Sequence, residues 1–172
     1  MSQYSFTLAF AFVGLMVHVV AADEVKIEPG KENVVASRIE GDWQVHAPLT
    51  ERLTGGQGLL LKRLSFKSDP AVATKIPGKY AEYFQQQNMK VYLAGRVDLD
   101  GKKCPFVVTN IHGNPHVIFW LERDGDPFGN GESFNVMLTV AEDRQNDLLF
   151  VGGDFNNQPF SAFERVKAES PR

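Results

Sequence analysis

The sequence predicts an all-β protein, an antiparallel, up-and-down β-barrel of eight strands with one short helix near residues 79–87. From Gly41 onward, short runs rich in valine, leucine, phenylalanine and tyrosine are separated by glycine, asparagine, aspartate and proline, which is typical of strands and turns. Because closing a long antiparallel sheet on itself protects both of its edges, a barrel is favoured. A two-sheet sandwich stays the structural alternative.

The first 22 residues have the composition of a signal peptide. Phe6 to Val20 form an uncharged apolar run, and Ala21 and Ala22 supply the small residues that precede a cleavage site. The run is shorter than the roughly 20 residues that a membrane-spanning helix needs. An uncleaved anchor stays open because the segment contains no lysine or arginine. We therefore expect a secreted or periplasmic protein that contacts a membrane only through an uncleaved signal segment.

The remaining chain divides into a lead-in, one domain and a tail. Residues 23–38 are charged, contain Pro29-Gly30 and show no periodicity, which predicts a flexible lead-in. Residues 39–167 form the predicted barrel domain, and 168–172 form a tail. The net charge of −3 provides no basic surface for nucleic acid. Cys104 is the single cysteine, so no internal disulfide can form, and its apolar run predicts a buried, inert thiol.

Alternation of apolar and polar residues identifies the strands. In ESFNVMLTVA, Phe134, Val136 and Leu138 alternate with Asn135 and Thr139, the period of a sheet with one buried face. Short turns separate the runs, and Asp100-Gly101 is the strongest of them because glycine accepts the positive φ of a type I′ hairpin. The predicted strands are 42–47, 58–67, 90–99, 103–111, 116–123, 132–141, 147–153 and 159–166, with further turns at 112–115, 124–131, 142–146 and 155–158.

One helix is predicted between the second and third strands. Pro77-Gly78 interrupts the segment, and Tyr80 and Phe84 lie four residues apart, on one face of a helix over 79–87. We expect this helix to lie across the barrel or against its outer surface.

Two short motifs at opposite ends of the barrel domain carry a family resemblance. Gly41-Asp42-Trp43 begins the first predicted strand, and Arg165 lies in the last one, within FSAFERV. This pairing resembles the calycin pattern of lipocalins and of their small, secreted, bacterial lipocalin-like relatives. The resemblance implies that Trp43 plugs one end of the barrel and that Arg165 packs over it, with the guanidinium stacked on the indole.

The layout departs from that of animal transport lipocalins. The helix lies early in the chain and not after the barrel, no disulfide can hold a tail, and the sequence contains no convincing second lipocalin motif. The short lipocalin-like proteins of bacteria are the closer comparison. The resemblance therefore implies the fold and a binding interior, and it implies no particular ligand.

Aromatic and aliphatic side chains in successive strands are the candidate ligand-binding residues. An eight-stranded barrel is just wide enough to be filled by side chains or to hold one small ligand, so a packed core is the alternative. Arg96 and Asn110 are further candidates for the rim or lining. The predicted ligand-binding residues are Tyr92, Phe106, Phe119, Phe134, Val136, Leu138 and Phe150.

Other candidate motifs favour structural explanations. His112 and His116 are four residues apart, but Gly113 and Pro115 make this segment a turn, so we predict no metal site there or with His46. The acidic residues of DGDPFGNGE do not have the spacing of an EF-hand, and a turn explains them. Gly152-Gly153 lacks the lysine of a phosphate loop, which favours a bulge or a tight corner.

These observations favour an exported, non-catalytic protein that binds a small apolar molecule in the barrel interior. No nucleophile elbow or comparable local context is present, so we expect no enzyme, no catalytic residue and no cofactor. Two alternatives stay open. One is an envelope or extracellular interaction module with a filled core and a protein partner that the sequence does not identify. The other is a histidine-based metal-binding protein or enzyme.

Overall fold

A computed structural model of the chain describes residues 25–28, 33–56, 61–111, 113–152 and 160–167. In these residues, eight antiparallel strands form a closed barrel in which each strand pairs with the next along the chain and the last pairs with the first. The predicted all-β, up-and-down barrel is confirmed. The predicted signal peptide (1–22), the tail (168–172) and His112 lie outside the described residues.

The observed strands match the eight predicted ones in order and in most of their bounds. Two connections, at Asp100-Gly101 and Asp124-Gly125, place both residues at positive φ, as two-residue hairpins require. The strands are β1 (Gly41–Val45), β2 (Arg63–Ser68), β3 (Val91–Leu99), β4 (Lys102–Ile111), β5 (Asn114–Arg123), β6 (Asp126–Thr139), β7 (Leu148–Gly152) and β8 (Ser161–Arg165).

Within the described ranges, three α-helices accompany the barrel: α1 (Val34–Arg38), α2 (Ala47–Thr54) and α3 (Gly78–Gln86). The predicted helix at 79–87 corresponds to α3, and because Pro77 disfavours helical backbone in the residue before it, Ile76 is extended and the helix begins after Pro77. We name the two ends of the barrel after the other helices. The α1 end is where β1 begins, after α1, and the α2 end is where β1 finishes and α2 follows.

Helices α1 and α2 were not predicted, and each has an identifiable N-cap. The side-chain oxygen of Asn33 accepts a hydrogen bond from the amide of Ala36, and Nδ1 of His46 accepts one from Leu49. Because α1 buries Val35 and Ala36 against the barrel interior, the packed domain begins upstream of residue 39. This corrects the end of the range that the sequence assigned to a flexible lead-in.

Two apolar clusters lie on opposite faces of the sheet. The interior cluster contains alternate residues of every strand, among them Trp43, Phe106 and Phe163. The outer cluster joins α3 and a 3₁₀ helix (Pro70–Lys75) to outward-facing residues of β3, β4 and β5, including Trp120. The sheet is therefore buried on both faces beneath α3, which explains why apolar residues follow one another without alternation in β4.

The hairpin between β5 and β6 is tighter than the predicted turn at 124–131. The turn is confined to Asp124-Gly125, and β6 begins at Asp126 and pairs with β5 from there. A register shift between Leu121 and Arg123 accommodates this long, irregular start of the strand. Similarly, β2 begins at Arg63 and not at residue 58, although residues 57–60 lie outside the described chain.

Candidate functional site

The α1 end of the barrel is closed by Trp43 and Arg165. The guanidinium carbon of Arg165 lies 4.1 Å from the centroid of the Trp43 ring, a cation–π contact between neighbouring residues of β8 and β1. The indole nitrogen of Trp43 donates a hydrogen bond of 2.7 Å to the carbonyl of Ile39. Arg165 also donates to the carbonyls of Arg38 and Glu40. The arrangement ties the last strand to the residues that precede the first strand.

Gly41 makes room for this arrangement. Its φ of +121° is one that residues with a side chain rarely adopt, and a Cβ atom there would lie 2.9 Å from Nη1 of Arg165. The glycine and the tryptophan of the Gly-x-Trp motif thus act on the same arginine, one by leaving space and the other by stacking. The Gly-x-Trp motif therefore belongs to the closure of the barrel at its α1 end.

A buried carboxylate completes the closure. The side chain of Asp147 is fully buried and accepts hydrogen bonds from Arg38 at 2.9 Å and 2.7 Å, with a further contact to Arg165 at 3.5 Å. The amide of Ala141 also donates to it. Desolvation lowers the pKa of Arg165 from its ordinary range, and Asp147 opposes that effect. The Asp147 carboxylate therefore balances the positive charges of Arg38 and Arg165, which lie near one another.

Most of the predicted ligand-binding residues face the barrel interior. Phe119 and Phe134 form a stacked pair with ring centroids 4.6 Å apart, and Phe106 contacts Phe66 edge to face. Tyr92 and Val136 are buried in the same cluster, and Leu138 is partly buried against it. The structure thus brings six of the seven predicted residues to one interior cluster: Tyr92, Phe106, Phe119, Phe134, Val136 and Leu138.

Phe150 and Arg96 face away from the interior, which corrects their assignment. Phe150 lies between Leu149 and Val151, both of which belong to the interior cluster, so its side chain occupies the opposite face of β7. Arg96 is about half exposed and forms an ion pair with Asp69 at 3.7 Å, on the outside of the barrel. Neither residue can line an interior site.

Asn110 is the polar candidate that does face inward. It follows Phe106 and Val108 at alternate positions of β4, so its side chain shares their interior face near the α1 end. Its Oδ1 atom is buried and has no hydrogen-bond partner among the described residues. A buried acceptor of this kind can accept a hydrogen bond from a ligand.

The α2 end differs from the closed α1 end on the side formed by β5 and β6. Asp126 and residues 130–135 of β6 pair with β5, whereas the described residues of β7 pair only with residues 135–139. Phe134 lies at this boundary, and Leu121 lies further toward the end. Asn130 and Glu132 are exposed there and joined by a hydrogen bond of 2.8 Å. Apolar interior side chains thus lie beside a polar rim.

The histidines and the cysteine that the structure describes form no metal-binding cluster. His46 lies at the α2 end, whereas His116 lies near the start of β5, at the α1 end, so the structure separates them. Among the described residues, no three histidine, cysteine, aspartate or glutamate side chains are placed to hold a metal ion. Cys104 is buried, and desolvation raises the pKa of its thiol, which keeps the thiol protonated.

Comparison with family models, with curated proteins and with solved structures gave no match. In the described part of the chain, no helix has the length and apolar character needed to cross a membrane.

Proposed function

We propose that the chain is a lipocalin-like, non-catalytic protein that binds a small apolar molecule in the barrel interior, which the molecule enters from the α2 end. The observation that carries the proposal is the contrast between the two ends. The α1 end is closed by Trp43, Arg165 and Asp147, while at the α2 end the stacked pair Phe119 and Phe134 lies where β6 extends beyond the described residues of β7.

The chemistry of the interior determines the class of ligand. Phenylalanine and aliphatic side chains surround the stacked pair, and burial of apolar ligand surface against them contributes about 25 cal/mol per Å² removed from water. Polar groups are few: Asn110 can accept one hydrogen bond, and Asn130 and Glu132 lie at the rim. This pattern suits a mostly apolar molecule with one or two polar atoms.

Export is part of the same proposal and rests on the apolar, uncharged run from Phe6 to Val20 followed by small residues. An exported carrier with a single buried cysteine needs no disulfide, because its closure depends on Trp43, Arg165 and Asp147. Edman sequencing of the protein recovered from its native source would test this part. We expect the first residue to be Asp23.

The binding proposal is tested with an uncharged fluorescent probe, N-phenyl-1-naphthylamine, and the full chain. We expect Leu121→Gln, inside the barrel at the α2 end, to weaken probe binding about tenfold, because a polar amide would replace apolar surface. Leu53→Gln makes the same change at an exposed position of α2 and serves as the matched control. Native mass spectrometry of protein from its native source should detect a retained organic molecule.

An interaction module with a filled core is the second candidate, and a specific observation favours it. Trp43, Phe106, Leu149 and Phe163 are fully buried and occupy much of the interior. If the wild-type chain binds no probe and retains no organic molecule, the interior site is wrong. Copurification of one stoichiometric protein partner would then support the module.

A further inference from the structure

A second concave surface lies outside the barrel, between α3 and the outer face of β5 and β6. This outer groove has a volume of about 590 Å³. Tyr83, which is half exposed, forms part of its wall on the helix side. The groove is lined mainly by aromatic and aliphatic side chains, including Tyr80, Tyr83, Phe84, Ile111, Ile118 and Trp120.

Trp120 carries an unsatisfied donor in this wall. The residue is fully buried, with the rings of Tyr80 and Phe128 packed edge to face at centroid distances of 5.4 Å and 5.3 Å. Its indole nitrogen has no hydrogen-bond partner among the described residues. Buried indole N–H groups usually find a partner, so this one indicates a missing acceptor.

Gly131 lies opposite this nitrogen. It pairs with Trp120 across β5 and β6 and faces the same outer side. A Cβ atom on Gly131 would lie 3.4 Å from the indole nitrogen and 3.7 Å from Cε1 of Tyr80, which are tolerable distances. Glycine weakens a strand and is often found where a ligand approaches the backbone closely. At Gly131, β6 therefore places no side chain over the unsatisfied indole nitrogen of Trp120, although a small side chain would fit there.

We infer that the outer groove is a second binding site, for a flat, uncharged, apolar ring compound that carries a carbonyl oxygen. The aromatic walls provide surface for the ring, and Trp120 provides one donor for the carbonyl. Aromatic and aliphatic side chains dominate the lining of the groove, which favours an uncharged ligand. Because Trp120 is fully buried, the oxygen reaches the nitrogen only when the ring of Tyr80 moves, and the hydroxyl of that ring donates a hydrogen bond of 3.3 Å to the carbonyl of Phe128.

This site is independent of the interior site proposed above. Phe119 and Trp120 are adjacent in β5 and face opposite sides of the sheet, one in the interior cluster and the other in the outer cluster. A ligand in the groove therefore has no contact with the stacked pair Phe119 and Phe134. Loss of either site leaves the other testable.

Two matched probes test the inference on the full chain: 2-acetonaphthone, which has a carbonyl, and 2-ethylnaphthalene, which does not. We expect acetonaphthone to bind about tenfold more tightly, a difference of about 1.4 kcal/mol for one satisfied donor. The chain has two tryptophans, so NMR should show two indole N–H resonances. Acetonaphthone should shift the Trp120 resonance downfield and leave that of Trp43, which already donates to Ile39, in place.

Two variants test whether acetonaphthone binds in the outer groove. Gly131→Val should reduce acetonaphthone affinity at least about tenfold, because its side chain fills the space above the indole nitrogen. Thr139→Val, an exposed position of the same strand outside the groove lining, is the matched control and should bind normally. Trp120→Phe keeps an aromatic wall and removes the donor, so it should bind both probes with similar affinity.

The inference is wrong if the wild-type chain binds neither probe, or binds both equally. It is also wrong if acetonaphthone binds while the Trp120 resonance stays in place, since the ligand would then lie elsewhere. Loss of the Trp120 shift in Leu121→Gln, with Gly131→Val unaffected, would place the acetonaphthone inside the barrel and contradict the outer site.

Discussion

Trp43 and Trp120 are both fully buried, and they differ in what surrounds the indole nitrogen. Trp43 donates to Ile39 and lies beneath Arg165, which in turn contacts a carboxylate. Trp120 is enclosed by three rings, and its nitrogen lacks a partner among the described residues. The first surrounding is typical of a structural closure, in which the indole nitrogen is satisfied, although Nε of Arg165 has no partner there among the described residues. The second is typical of a surface that has a donor to offer.

The neighbouring glycines repeat this difference. Gly41 beside Trp43 has a left-handed backbone and no room for a Cβ atom, whereas Gly131 beside Trp120 has room for one. One glycine is required by the fold, and the other is permitted by it. Stability measurements should therefore separate the two regions before any ligand is known.

The largest expected effect concerns the buried charge at the closure. Asp147→Asn should lower the free energy of unfolding by about 3 kcal/mol, because Arg38 and Arg165 lose a fully buried counter-charge. Urea denaturation followed by circular dichroism measures it. Arg96→Gln breaks the exposed pair with Asp69 and should change stability by less than about 1 kcal/mol. Equal effects of the two changes would show that the closure is not what stabilises the barrel.

A smaller effect is expected for the two glycines. Gly41→Ala should cost about 1–3 kcal/mol, since the methyl group would strain the backbone and displace Arg165. Gly131→Ala should be neutral or stabilise the protein by up to about 1 kcal/mol, because the alanine reduces the entropy of the unfolded chain. Thermal melts of both variants provide the comparison. A destabilised Gly131→Ala would mean that the groove lacks the space that the second site requires.

Local patterns predicted the barrel well. Alternation in β6 and the Asp100-Gly101 turn depend on neighbouring residues alone, so they could be interpreted without knowledge of the fold. Helix α2 was missed although its signals are local: Pro48 follows the N-cap His46, and Gly55 ends the helix in the left-handed conformation. Those signals could have identified it.

Other features depend on packing between distant segments. Leu148 to Val151 are all apolar, so alternation could not show that Phe150 faces outward, and the register with β6 and β8 decides it. The outer groove exists because α3 docks on β5 and β6, and nothing in the sequence near Trp120 indicates that its indole nitrogen stays unpaired. The relative positions of segments that are distant in the sequence are determined by tertiary packing.

The smallest expected difference is that between substitutions of the two tryptophans themselves. Trp43→Phe and Trp120→Phe remove similar volumes from fully buried sites, so their cavity costs should be alike. Trp43→Phe also leaves the carbonyl of Ile39 without its donor and weakens the contact with Arg165, whereas Trp120→Phe removes a donor that had no partner in the described part of the chain. We expect Trp43→Phe to be less stable by about 1 kcal/mol, measured as the difference in unfolding free energy in urea. The opposite order would mean that the Trp120 nitrogen contributes to stability as it stands, and the groove would then have no donor to offer a ligand.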